Sequence, residues 1–132
     1  MSTEHVPLEA IDHLEYFVGN AFQAAHFYRT MFGFDIVAHS GLTTGRRGQS
    51  SYLVEQGKVR FLLTSALSPD CPVARHCALH GDGVHSVAFR VNDVEETINA
   101  VKANGATVVK PLTTWQDSFG ELRFAAIKTY GD

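Results

Sequence analysis

The side chains best suited to chemistry in this sequence are histidines, because a neutral imidazole can bind a metal ion or move a proton near neutral pH. His13 and His85 each lie on a strand-like segment that runs into a helix-like segment. Two histidines on the first strands of two such segments would be the natural ligands if this chain bound a metal ion. A metal site of this kind requires both histidines to point at one centre.

The elements that would position these histidines form an internal repeat. Residues 11–34 and residues 84–106 both read as a strand, a helix, a glycine stop and a new strand. The predicted N-caps are Asn20 and Asp93 (or Asn92), and the predicted stops are Gly33 and Gly105. The first copy continues with strands at 34–38, 51–54 and 59–64, the last two joined by a hairpin at Gly57.

The second copy follows a connecting helix at about 72–80, which Pro72 opens and Gly81 ends. Its later strands are predicted at 107–110, where Pro111 stops the strand, and at 121–128, with a loop at 115–119 between them. By analogy with the first copy, one more strand is expected after Asp132. The sequence therefore predicts an α+β fold of two tandem βαβββ units at about 11–65 and 84–132, the second lacking its last strand. Residues 1–10 are a tail, and residues 11–132 form one domain.

The two ways of aligning the copies give different pairings for the histidines. Aligning the strand-to-helix junctions at Asn20 and Asp93 places Ser86, not His85, opposite His13. Since strand side chains alternate between faces, His85 would then point away from a centre that His13 faced. Aligning the helix ends at their glycines pairs the two histidines instead. We prefer the junction alignment, because it lies nearer to the strands, and we expect structural roles for both histidines.

A second histidine pair lies on the connecting helix. His76 and His80 are four residues apart, a spacing that can hold zinc. No glutamate follows His76 and no third ligand is near in sequence, so a capping or packing role is favoured. Cys77, between them, is expected to be a small buried group.

Three further motifs favour structural roles. Arg46 and Arg47 could bind a carboxylate, but an exposed loop pair is the expected state. The segment 81–83 is too short for a phosphate loop, and Ser50 and Ser51 have no adjacent base for a nucleophilic triad.

Composition excludes several classes of function. A chain of 132 residues with 45% apolar content can bury one core, and its formal net charge of −3 does not favour nucleic acid or an anionic membrane. No apolar run approaches the roughly 20 residues that cross a bilayer. The first ten residues do not form a signal peptide, and two cysteines in one short segment, Cys71 and Cys77, are typical of free thiols. These features indicate a cytoplasmic protein.

Five motifs occur in order along the chain and together resemble one family. Tandem βαβββ units are the architecture of the vicinal oxygen chelate superfamily, and within it the motifs resemble the amino-terminal domain of the 4-hydroxyphenylpyruvate dioxygenases. They lie at Asp12–Ala21, Gln56–Phe61, Thr64–Pro69, His80–Val84 and Lys128–Asp132. Hydroxymandelate synthases share this half and the substrate, and nothing in the motifs separates the two.

The resemblance implies iron(II)-dependent dioxygenation of 4-hydroxyphenylpyruvate in tyrosine catabolism, to homogentisate or hydroxymandelate. In that family the iron and its two-histidine, one-carboxylate triad belong to the carboxy-terminal domain, so no catalytic, cofactor or metal residue carries over to this sequence. Glu121 would be a poor third ligand, because it lies on the strand before the one that would supply a carboxylate.

The chain is therefore expected to bind no cofactor and to be inactive without the carboxy-terminal catalytic half. That half or a second subunit is the expected partner. Formation of a homo-oligomer is also expected. Two alternatives stay open: a stand-alone dimeric small-molecule binding protein of the same superfamily, and a non-catalytic partner of a separately encoded catalytic half.

Overall fold

The structure, a computed structural model, describes residues 6–41, 48–117 and 120–128. Within them a first strand–helix–three-strand unit is followed by a connecting helix and by the elements of a second unit. The elements are β1 (Ala10–Phe17), α1 (Ala21–Phe32), β2 (Asp35–Ser40), β3 (Gln49–Gln56), β4 (Val59–Ala66), α2 (Pro72–His80), β5 (Gly83–Arg90), α3 (Val94–Ala103), β6 (Val108–Asp117) and β7 (Gly120–Ile127). The mixed α+β class expected from the repeat is confirmed.

Local signals set the ends of α1. The side chain of Asn20 accepts a hydrogen bond from the backbone N–H of Gln23 at 3.0 Å, as an N-cap does. Gly33 ends the helix with φ at 79°, a left-handed conformation in which its N–H reaches the carbonyl of Arg29. Both ends of the helix match the sequence prediction.

Five strands form one sheet in the order β2-β3-β4-β1-β5. β3 and β4 make a tight antiparallel hairpin that turns at Gly57, where φ is 58°. β1 pairs in parallel with β4, from Leu14 opposite Phe61 to Phe17 opposite Thr64. β1, the first strand of the repeat, therefore lies between two other strands of the sheet. Its side chains alternate between the two faces of the sheet.

Two hydrophobic clusters cover opposite faces of this sheet. The larger lies between α1 and the sheet, and its buried members are Val18, Ala21, Ala25, Phe34, Val54 and Leu63. The smaller lies beside α2 and contains Phe17, Cys71 and Val73. Because side chains alternate along a strand, neighbours such as Tyr16 and Phe17 belong to different clusters. We call the two sides of the sheet the α1 face and the α2 face.

The chain forms two compact bodies, one of them Ile11–Phe89 with most of the five-stranded sheet. The other comprises the chain from Arg90 onward and the residues up to Ala10. In it Asp93 is the N-cap of α3, and its side chain accepts from the N–H of Glu96 at 3.1 Å. β6 pairs with β7 in an antiparallel ribbon.

One prediction for the second body is wrong. β6 does not stop at Pro111 but continues to Asp117, so Trp115–Asp117 belong to a strand and not to a loop. The pairing register shifts between Lys110 and Thr113, and Pro111 lies within that irregularity, where no ladder N–H is required of it. Residues 118–119 and the chain from 129 onward, where a further strand was expected to follow, lie outside the described residues.

Candidate functional site

The α2 face carries a row of hydrogen-bonded polar side chains across three adjacent strands. Thr64 on β4 donates its hydroxyl to Glu15 Oε2 on β1 at 3.0 Å. Its oxygen also lies 2.8 Å from the Ser51 hydroxyl on β3. Because Thr64 gives its proton to the carboxylate, Ser51 must be the donor of the second bond. The Thr64 side chain is fully buried and Ser51 is 5% exposed, so this relay is shielded from water.

A second polar group lies where β1 and the β3–β4 hairpin meet. Arg60 donates to Glu55 at 2.7 Å and to Asp12 at 3.4 Å. The other oxygen of Asp12 lies 2.7 Å from Nδ1 of His13. When the histidine is neutral, this contact favours the tautomer with hydrogen on Nδ1.

Asp12, His13 and Arg60 of this second group line a shallow pocket. It has a volume of about 220 Å³, and Ile11, Lys58, Val59 and Phe61 complete much of its wall. An oriented imidazole beside a pocket could accept a proton, but no nucleophile among the described residues contacts it.

Three histidines and one phenylalanine form an aromatic cluster beside α2. The His85 ring stacks on Phe17 with centroids 3.9 Å apart, and the His76 ring meets both of them edge-on at 5.2 Å. His80 lies 4.9 Å from His76, as their spacing on the helix predicts. Nδ1 of His85 is 2.7 Å from the Ser86 hydroxyl, which fixes the ring orientation.

This cluster corrects the expected orientation of His85. The junction alignment predicted that His85 points away from the face of His13. The stack instead places the His85 ring over Phe17, and alternation along β1 gives Phe17 and His13 the same face. Shifting the alignment by one residue moves every strand side chain to the other face of the sheet. The alignment at the helix ends therefore predicts the observed face of His85, and the junction alignment does not.

The described residues do not fit an iron(II) triad. Among residues 6–41, 48–117 and 120–128, no three histidine, cysteine, aspartate or glutamate side chains converge as metal ligands. His13 is bonded to Asp12 and the Glu15 carboxylate to Thr64. The side chain of Glu121 lies outside the described set, as do Arg46 and Arg47.

Both cysteines are free thiols. Cys71 is buried, with Sγ 3.7 Å from Gln49 Oε1. Burial, and to a smaller extent the Asp82 carboxylate, raises the pKa of Cys77, so this thiol stays protonated at neutral pH. Asp82 in turn accepts from the N–H of Gly19 at 3.0 Å, which gives the turn at 81–83 a structural role.

Sequence reasoning missed two features of this face. The relay joins residues that are distant along the chain, and only the β1–β4 and β3–β4 registers bring them together. The histidine cluster joins the predicted His76–His80 pair to His85. The close spacing of these three histidines in the sequence was the available signal, but it gave no orientation.

The comparisons with known proteins agree on one family. The family model described as "Glyoxalase/Bleomycin resistance protein/Dioxygenase superfamily" matches residues 10–122. A 4-hydroxyphenylpyruvate dioxygenase of Caenorhabditis briggsae is 43% identical over 126 residues, which are 95% of this chain and 32% of that protein. The same enzyme of Danio rerio is 43% identical over 121 residues, 91% of this chain and 30% of the relative. The chain thus spans about a third of the length of these curated relatives.

Solved structures show the same fold. A mutant of 4-hydroxymandelate synthase from Streptomyces coelicolor superposes with a TM-score of 0.88 at 29% identity, over 94% of this chain and 36% of that one. A methylmalonyl-CoA epimerase from the same organism superposes at 0.71 over 91% of this chain and 89% of its own. At 22% identity, the epimerase shows a shared fold alone.

Proposed function

Because the chain belongs to the Glyoxalase/Bleomycin resistance protein/Dioxygenase superfamily, we propose that it is the amino-terminal portion of a 4-hydroxyphenylpyruvate dioxygenase-like oxygenase. The parent enzyme would oxidise 4-hydroxyphenylpyruvate with a non-haem iron(II), to homogentisate or to hydroxymandelate. This portion would be structural and inactive alone. Its role would be to support the catalytic half and to provide subunit contacts.

The observation that carries the proposal is the uneven coverage of the relatives. Identity of 43% extends over 95% of this chain but over only 32% of the Caenorhabditis briggsae enzyme. The whole chain therefore corresponds to one part of a longer enzyme.

The chemistry of the polar side chains on this sheet supports a structural role. The iron would supply the binding of the keto acid and oxygen, and it needs three converging protein ligands. The described residues provide no such set. Their polar side chains are engaged with one another: Glu15 and Ser51 through Thr64, and Asp12 and Glu55 through Arg60. We therefore propose that the iron ligands lie in the other part of the parent.

Exposed apolar side chains on α1 support the proposed partners, either the catalytic half or a second subunit in a homo-oligomer. Phe22, Phe27, Met31 and Phe32 are each between 50% and 65% exposed. The helix carries no acidic residue, and Arg29 is its only lysine or arginine. Exposed apolar groups gathered on one helix are typical of a surface that another protein covers.

Other parts of the proposal rest on the sequence and on the comparisons. A cytoplasmic location agrees with the two free thiols. No helix in the described part of the chain is long and apolar enough to span a membrane. The alternative of a stand-alone binding protein is not favoured, because the curated relatives are longer oxygenases.

Oxygen consumption tests the proposal. The 132-residue chain with iron(II) and 4-hydroxyphenylpyruvate should consume no oxygen above the protein-free rate. A chimera in which this chain replaces the matched third of the Caenorhabditis briggsae enzyme should consume oxygen when both iron and substrate are present. A chimera carrying Leu63→Asp, which places a charge at a fully buried position, is the control for a misfolded replacement and should be inactive.

Two results would contradict the proposal. Iron- and substrate-dependent oxygen uptake by the isolated chain would place a catalytic site within it. A chimera that is soluble and folded but takes up no oxygen would show that this chain cannot serve as the amino-terminal portion of such an enzyme.

A further inference from the structure

The second body of the chain has a thinner core than the first. In the first unit, Val54 on β3 and Leu63 on β4 are fully buried in the cluster between α1 and the sheet. No side chain that the structure describes in the second body is buried, and the apolar residues Val94, Ile98 and Val101 of α3 are only half-buried. A two-stranded ribbon is marginally stable in water by itself, and the apolar burial that would stabilise it is small here.

The internal repeat shows which element would enlarge this core. In the first unit β3 lies between β2 and β4, and β4 pairs with it along its whole length without a register shift. β4 brings Phe61 and Leu63 to the cluster under α1. β7 holds the position of β3 in the second unit, but within residues 90–117 and 120–128 it pairs with β6 alone. A further strand on β7 would add apolar side chains under α3 in the same way.

The outer edge of β7, on the side away from β6, presents backbone N–H groups to such a strand. Just after β7, the N–H of Lys128 donates to the carbonyl of Thr107 across the ribbon at 2.8 Å. Both register shifts of the ribbon add residues to β6, so β7 itself is regular. Because the N–H groups of a paired strand point alternately to its two edges, that of Ala126 points to β6, and those of Ala125 and Ile127 point to the outer edge.

We propose that the outer edge of β7 binds an antiparallel strand from the remaining length of the parent enzyme, with apolar side chains at alternate positions facing α3. This source of the strand rests on the proposed function: the chain spans 32% of the Caenorhabditis briggsae relative, so most of the parent's length is available to supply it. A strand of the same chain is favoured over one from a second copy, because covalent linkage raises its effective concentration. Arg123 lies 3.7 Å from Glu95 of α3, so Ala125, on the same face of β7, also faces that helix.

Hydrogen exchange resolved by residue tests the edge. It compares the 132-residue chain with the chimera in which this chain replaces the matched third of the Caenorhabditis briggsae enzyme. In the isolated chain the amides of Ala125 and Ile127 should exchange nearly as fast as in an unstructured peptide. In the chimera they should exchange at least about a hundredfold more slowly, because each then donates to the added strand. The Lys128 amide, which is bonded within the ribbon, should differ less between the two proteins.

Ala125→Pro and Ala126→Pro are matched variants, because the two alanines are adjacent, are both half-buried and differ in the edge to which their N–H points. Proline removes that N–H. In the isolated chain Ala126→Pro should speed exchange of the Lys128 amide, whereas Ala125→Pro should not. In the chimera both variants should lower the melting temperature by a similar amount, since both edges of β7 are then paired.

Two results would overturn the proposal. If Ala125→Pro leaves the melting temperature of the chimera unchanged while Ala126→Pro lowers it, no strand pairs with the outer edge. Protection of Ala125 and Ile127 in the isolated chain that rises with chain concentration would assign the edge to a second copy. Neither readout depends on catalysis, so a folded chimera that takes up no oxygen refutes the proposed function and still tests the edge.

Discussion

Replacing Thr64 with valine should destabilise the protein far more than the loss of one hydroxyl at the surface. Thr64 is fully buried, and its hydroxyl donates to the Glu15 carboxylate while it accepts from Ser51. Valine keeps the shape of the side chain, so the change tests the two hydrogen bonds and not the packing. The expected loss of stability follows from Glu15 and Ser51, each of which loses a hydrogen-bond partner.

A hydrogen bond to a charged group contributes about 1.5–3 kcal/mol, and a buried polar group left without a partner costs about 1–3 kcal/mol. Glu15 is half-buried, so water can replace part of its lost bond, whereas Ser51 is shielded. We therefore expect Thr64→Val to lower the free energy of unfolding by roughly 2–4 kcal/mol. This is a large part of the roughly 5–15 kcal/mol that stabilises a typical domain.

Urea unfolding followed by circular dichroism measures the effect, with linear extrapolation to water. Thr64→Ser keeps the hydroxyl and should cost about 1 kcal/mol, for the lost methyl group. The double variant Thr64→Val with Ser51→Ala should be less destabilised than the sum of the single variants, because no serine hydroxyl is then left unpaired. If Thr64→Val unfolds within about 0.5 kcal/mol of the unaltered chain, the relay contributes nothing to stability and the reasoning fails.

Three further predictions concern local features of the same body. Gly33→Ala should lower stability by about 1 kcal/mol because φ is 79° there, whereas Gly48→Ala, at a site open to solvent, should change the melting temperature little. Asn20→Ala should lower stability by about 0.5–2 kcal/mol through loss of the cap on α1, and Asn20→Ser should restore most of it in the same melting assay. Asp82→Asn should speed alkylation of Cys77 by iodoacetamide at pH 8, by less than about tenfold since burial is the larger cause of its raised pKa. An unchanged alkylation rate would exclude an electrostatic effect of Asp82.

The raised pKa of Cys77 also fixes the sign of a pH effect. An acid whose pKa is higher in the folded chain holds its proton better there than in the unfolded chain. The contribution of the Cys77 thiol to the free energy of unfolding is therefore constant at neutral pH. The free energy of unfolding falls as the pH rises past 9.0, the ordinary pKa of a thiol. Urea unfolding at pH 7.5 and pH 10 measures this, and Cys77→Ala should reduce the difference between the two.

Features encoded within a few residues of sequence were predictable. Asn20 and Gly33 define α1 because a cap and a left-handed stop act on their own helix turn. Gly57 locates the β3–β4 turn for the same reason, since positive φ is required there. Each of these signals is short in range, so no knowledge of the tertiary fold was needed to read it.

Features decided by pairing between distant segments were not predictable. Pro111 is a strand breaker by its own chemistry, but a register irregularity in the β6–β7 ribbon accommodates it. The side on which His85 lies depended on a single residue of alignment. Thr64 reads as an ordinary strand residue, and only the registers with β1 and β3 show that it is the centre of a buried relay.

The parallel pairing of β1 with β4 imposes an order on folding during synthesis. Leu14 cannot pair with Phe61 until Phe61 has been synthesised. At about 5–20 residues per second, this delay amounts to several seconds on the ribosome. The β3–β4 hairpin closes in about 1–10 μs once both strands have emerged. The hairpin is then the template onto which the older strand docks, and β5 adds to the far edge of β1 afterwards. Until β1 docks on the hairpin, both of its edges are open to pairing with other chains, and this interval is therefore prone to aggregation.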